Sequence, residues 1–120
     1  MYMLAAILVG LIALEHLYIL ILEMFLWTTP RAIKAFGMKS IEEAAATKAL
    51  AANQGLYNGF LAAGLIWGLL YSDKQTGESI QQFFLICVLV AALYGGATAK
   101  RSIWLVQGLP ALIALIFVMV

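Results

Sequence analysis

From Met3 to Trp27 the chain is apolar apart from Glu15, His16 and Glu23. About 20 such residues in a helix span the ~30 Å hydrocarbon core of a bilayer. In lipid the backbone must satisfy its own polar groups, so the segment is expected to be a helix. No Lys or Arg precedes Arg31, and the stretch is longer than the apolar region of a usual secretory signal, so it reads as a retained first helix. The rest of the chain is of the same kind. Of 120 residues, 65% are hydrophobic and 11% charged, with a mean hydropathy of +1.01. Soluble domains are about 45–50% apolar and about 25% charged, and so short a chain has no water-exposed core large enough to hide the excess. The length sets a single domain, residues 1–120.

Breaks in the apolar pattern divide the chain. Thr28-Thr29-Pro30 ends helix one, because proline disfavours helical geometry in the residue before it. A linker, Arg31 to Lys39, follows with Gly37 as its turn. Ser40 and Glu43 have the spacing of a capping box, which starts helix two. That helix runs to Tyr71 and would be about 45–50 Å long, so Glu42 to Lys48 should reach the headgroup layer. Ser72 to Gly77 is a polar loop, helix three covers about 78–98, and Lys100-Arg101 leads into helix four. Pro110 is expected to kink that last helix. The fold class is therefore all-α, an integral membrane four-helix bundle with helices at about 3–27, 40–71, 78–98 and 102–120. Arg31, Lys34, Lys39, Lys100 and Arg101 fall in the first and third loops against Lys74 in the second. The positive-inside rule then puts both termini outside the cytoplasm (N-out, C-out). Trp27 and Trp104 lie at the cytoplasmic interface, and Trp67 and Tyr71 near the outer one.

A net charge of +1 offers no basic field for nucleic acid. One histidine and one cysteine, Cys87, supply neither a disulfide nor a zinc ligand set. No cofactor or metal is indicated. What remains is a gathering of polar groups at one depth. Glu23, Asn53, Gln54, Tyr57, Asn58, Tyr94 and Gln107 all fall in the cytoplasmic half of their helices, with His16 and Glu15 near mid-membrane. At 100° per residue, His16 and Glu23 share a stripe with Ile12, Leu20 and Trp27. Glu15 lies about 100° around from His16, and either faces a neighbouring subunit or is neutralised by protonation. On helix two, Asn53, Gln54, Tyr57 and Asn58 form a polar face. The opposite face, Ala44, Ala51, Gly55, Gly59 and Ala62, has the small-residue spacing of a close-packing seam, as does Gly64 with Gly68.

A charge at the centre of a membrane helix costs about 2.5–3.5 kcal/mol, so such a group should face protein or a wet cavity. The ligand-binding candidates are therefore His16, Glu23, Asn53, Gln54, Tyr57 and Asn58, walls of one cytoplasm-facing pocket. The plainer alternatives are interhelical hydrogen bonds for the amides, a salt bridge from Glu23 to Arg31 or Lys48, and a carbonyl-bonded histidine.

Two strings are more specific: HLYILILEMFLWTTPRAIKAFG, His16 to Gly37, and NQGLYNGFLAAG, Asn53 to Gly64. They resemble a bacterial family of small four-helix membrane proteins catalogued as a domain of unknown function and sometimes labelled an epimerase. The likeness spans nearly the whole chain. It implies a multi-pass protein of the bacterial inner membrane and brings no catalytic residues with it. Epimerisation calls for acid/base groups on opposite sides of a carbon or a dinucleotide cofactor, and no Gly-rich fingerprint is present. The architecture is also similar to the membrane-associated eicosanoid and glutathione enzymes, which hold glutathione with arginines on helix two. Helix two here has Lys48 and no arginine.

Three functions fit these residues. The first is binding or transport of a small metabolite or ion in the pocket. The second is an enzyme acting on a lipid-soluble substrate, with Glu23 and His16 as acid/base pair. The third is a structural or accessory subunit. Four short helices with small-residue seams leave faces to pack, so the partners expected are the lipid bilayer and further copies of the chain in a homo-oligomer.

Overall fold

The computed structural model describes residues 2–120, which are helical throughout their regular elements and contain no strand. The α-helices are α1 (Tyr2–Met24), α2 (Pro30–Phe36), α3 (Ile41–Ala46), α4 (Lys48–Leu70), α5 (Lys74–Thr98) and α6 (Leu109–Met119), and a π-helical segment occupies Trp104–Gly108. The all-α class holds, but six helices stand where four were expected, and each difference has a local cause.

Helix α1 closes at Met24 because Phe25 N and Leu26 N both donate to the Ile21 carbonyl, at 3.0 and 3.1 Å. The expected linker is itself a helix, α2. Thr29 caps it, Pro30 occupies its first turn where a missing N–H does no harm, and Gly37 ends it at φ 66°. Met38 N reaches back to the Ile33 carbonyl at 3.0 Å. The expected capping box forms in a shifted version: Ser40 Oγ accepts from Glu43 N at 3.1 Å, while Glu43 Oε2 accepts from Lys39 N, the residue before the cap, at 2.7 Å. The long second helix divides at Thr47, whose hydroxyl donates back to the Glu43 carbonyl at 2.9 Å. Helix α5 begins at Lys74 instead of Glu78 because Asp73 caps it, accepting from Thr76 Oγ1 at 2.6 Å and Thr76 N at 2.9 Å. Those bonds hold the Asp73 carboxyl below its ordinary pKa. Near Pro110 the ladder lacks the proline N–H. The turn just before it is π-helical, with Leu109 N bonded to the Trp104 carbonyl.

Two compact units share the chain: one is Leu61–Val120 with the start of α1 up to Leu14, the other Glu15–Phe60. In the first, Val9, Ile12 and Ala13 of α1, Leu65 of α4, Leu85 and Val88 of α5, and Ala111 and Ala114 of α6 form one core. Gly64 lies against the Phe84 ring, and Gly96 against the Trp104 indole. A Cβ on Gly77 would stand 2.6 Å from the Gly68 carbonyl oxygen, so α4 and α5 meet backbone to backbone there. That carbonyl is in the last turn of α4, where no intrahelical donor is left. The buried Gln81 supplies one from Nε2 at 3.1 Å. Helices α1 and α5 are long and apolar enough to cross a membrane, and Trp104–Met119 is a shorter apolar stretch. Large apolar side chains also cover outward faces, among them Leu4, Ile7, Leu11 and Leu14 of α1 and Phe83, Ile86, Val90 and Leu93 of α5.

Candidate functional site

The polar candidates fall in the Glu15–Phe60 unit. Glu23 and His16, on one stripe of α1, are each 1% exposed. Seven residues of helix set them about 10 Å apart along the axis, too far for direct proton exchange. Across from Glu23 stands Asn58 of α4, whose Nδ2 donates to Glu23 Oε1 at 2.6 Å and to the Gln54 carbonyl of its own helix at 3.2 Å. Glu23 is thus bonded to an amide instead of pairing with Arg31 or Lys48. Among the described residues the ion pair is Lys74–Glu78, in the other unit.

The approach that allows this bond comes from two glycines. A Cβ on Gly55 would lie 2.7 Å from Met24 Cγ, 3.0 Å from Glu23 Cβ and 3.3 Å from the Leu20 carbonyl oxygen; one on Gly59 would lie 2.6 Å from Leu20 Cδ1. The small-residue seam and the candidate site are therefore the same contact. Of the polar face of α4, Asn58 is the member that reaches Glu23, from its edge. Asn53, Gln54 and Tyr57 are exposed, and the Tyr57 ring meets Phe60 edge-on at 5.8 Å. The structure joins Glu23 to Asn58, buries His16 on the same stripe, and leaves the other three facing outward.

One feature of this unit left almost no mark in the sequence. Thr47 Oγ1 accepts from Trp27 Nε1 at 3.0 Å, while the Trp27 ring packs on Phe36 at 4.8 Å, which ties the turn after α1 to α2 and to the α3–α4 junction. The signal for this was weak, since one Thr and one Trp twenty residues apart carry no period. Glu15, set apart from His16 by its angle, has a buried Oε1 with no hydrogen-bond partner among the described residues. Chemically, the enclosed Glu23 carboxyl and the His16 imidazole can each gain or lose a proton.

A family model described as a protein of unknown function, DUF1304, matches residues 10–119. The chain belongs to the DUF1304 family. The matched span of this DUF1304 chain contains every site residue named above. A relative in Lactococcus lactis subsp. lactis (strain IL1403), the uncharacterized protein YpaA, is 38% identical over 117 residues, 97% of each chain. No solved structure matches. The family's description assigns no residue a role, so the DUF1304 site rests on its geometry.

Proposed function

We propose that this DUF1304 chain is a multi-pass protein of the bacterial inner membrane that binds a proton or a small cation at Glu23, on the cytoplasmic side. The crossings are α1, α4, α5 and the Trp104–Met119 stretch, packed as a four-helix bundle. Outward-facing apolar side chains on α1 and α5 support a lipid surround. The basic loops, with Arg31, Lys34 and Lys39 on one and Lys100 and Arg101 on the other, favour the cytoplasm, which leaves the Asp73–Lys74 turn outside.

The observation that carries the reading is the 2.6 Å bond between Asn58 Nδ2 and Glu23 Oε1 on a carboxyl 1% exposed. An ionisable group at such depth is expensive unless it is used. With Gly55 backbone against Glu23, a proton or small cation fits the enclosure better than a metabolite. Asn53, Gln54 and Tyr57, outward on a helix in lipid, are the face offered to a second copy. A mass in native detergent equal to one 13.1 kDa chain would remove that part of the proposal. A second reading, a polar lock between α1 and α4, is favoured by the glycine seam.

Infrared difference spectra of the reconstituted protein separate the two readings. After a pH jump, or on adding a monovalent cation, a carboxyl band should change in the wild type, be absent in Glu23→Gln and shift in Asn58→Ala. Glu23→Gln keeps an acceptor for Asn58 and should keep the fold. If no band assignable to Glu23 responds and Glu23→Gln only lowers thermal stability, the lock is the whole role.

A further inference from the structure

The Leu61–Val120 unit, with the start of α1, contains a cavity of about 390 Å³ that none of the polar residues above line. Its polar side is a ladder on one face of α5. Lys74, Glu78 and Gln81 follow at four- and three-residue steps, so they stack along the helix. The ladder runs inward, the Lys74 and Glu78 side chains being 64% and 31% exposed and Gln81 7%. Lys74 Nζ sits 4.5 Å above the Tyr2 ring, a cation–π contact that positions the ammonium at the rim. The remaining wall is apolar, with Ala6 of α1, Leu69 of α4, and Phe117 and Val118 of α6.

We propose that this cavity binds the headgroup and first methylenes of a zwitterionic amphiphile, one that carries an ammonium beside a phosphate. Lys74 and Glu78 stand at 3.8 Å, a loose and partly solvated pair whose members are free to turn to a ligand. A purely anionic head would gain Lys74 and be repelled by Glu78, and a purely cationic head the reverse. A zwitterion satisfies both, with its phosphate on Lys74 and its ammonium on Glu78. Gln81 marks the polar floor, held by its bond to the Gly68 carbonyl. Volume sets the extent of the ligand. The space is at the small end of the roughly 300–1,000 Å³ range of ligand pockets, which suits a headgroup with a short length of chain and leaves the tail to continue along the apolar wall. The inference concerns a different unit from Glu23 and stands or falls without it.

Native mass spectrometry of the full chain in a neutral maltoside detergent tests this, with single-chain lysophosphatidylethanolamine, lysophosphatidylglycerol of the same chain length, and two-chain phosphatidylethanolamine as probes. The wild type should retain the ethanolamine forms over the glycerol form by about tenfold, the scale of one charged hydrogen bond. Retention of the single-chain form alone identifies a free amphiphile as the natural source, and retention of both identifies the bilayer lipid. Lys74→Gln should abolish that retention, and Glu78→Gln should turn the preference toward phosphatidylglycerol-type heads. Both positions are partly exposed, so circular dichroism should show these variants folded. Ala6→Trp should fill the cavity and displace every probe. Equal retention of ethanolamine and glycerol heads by the wild type, or unchanged selectivity in Lys74→Gln and Glu78→Gln, overturns the proposal.

Discussion

Helix α4 carries the same glycine spacing twice and uses it for different ends. Gly55 and Gly59 let α1 approach until Glu23 meets Asn58, whereas Gly64 and Gly68 let α5 approach until Gln81 meets a backbone carbonyl. The spacing itself supplies only proximity. What is buried there depends on the side chain of the incoming helix. At Gly68 it is a neutral amide that completes a helix end, a contact with one protonation state. At Gly55 it is a carboxyl, which has two. The first contact is scaffold, and the second can respond to its surroundings.

That contrast can be broken most forcefully at the scaffold. Gly77→Ala drives a methyl into the Gly68 carbonyl, backbone against backbone, and nothing flexible stands there to yield. We expect a loss of about 3 kcal/mol in chemical unfolding followed by circular dichroism. Next is Glu23→Leu, which leaves the Asn58 donor without its acceptor and should lower stability by about 2 kcal/mol in the same measurement. Glu23→Gln should lose less than half of that. Equal losses for the two would show that the hydrogen bond contributes nothing beyond side-chain packing. Within the seam, Gly55→Ala meets Glu23 Cβ and the Leu20 carbonyl, while Gly59→Ala meets only the movable end of Leu20. Thermal melts should therefore rank Gly55→Ala above Gly59→Ala, at about 1.5 and about 1 kcal/mol. The smallest effect belongs to Ser40→Ala, about 0.5–1 kcal/mol from the lost cap, read as faster amide exchange confined to α3.

The pattern of residues foretold some of this and was silent on the rest, for physical reasons. Ser40 and Glu43 could be read because a capping box is local and depends on spacing alone. The burial of Glu23 and His16 could be read because charge or polarity in an apolar run must find an enclosure. Which face of α4 would meet Glu23 could not. A helical period gives angles within one helix, but not the rotation of that helix against its neighbour. Hence the glycine face, expected as a packing seam opposite the polar one, is the one beside the carboxyl, with Asn58 reaching in from the side. Helix α2 was written in Thr29, Pro30 and Gly37, yet at seven residues it is too short to show a period. The π turn before Pro110 changes a bonding partner by a single residue, which leaves composition untouched.

The core of the Leu61–Val120 unit has a further consequence. Its ten buried members include four alanines, three valines and an isoleucine. Alanine has no rotamers to surrender on burial, and valine and isoleucine are already nearly fixed by the helix they sit in. Of the ten, only Leu65 and Leu85 have substantial side-chain freedom to lose when the helices come together. In the lipid surround proposed above, where exclusion from water gives helices no reason to associate, a small attraction between close backbones would be enough when so little disorder opposes it. These helices are nearly preorganised for one another before they touch.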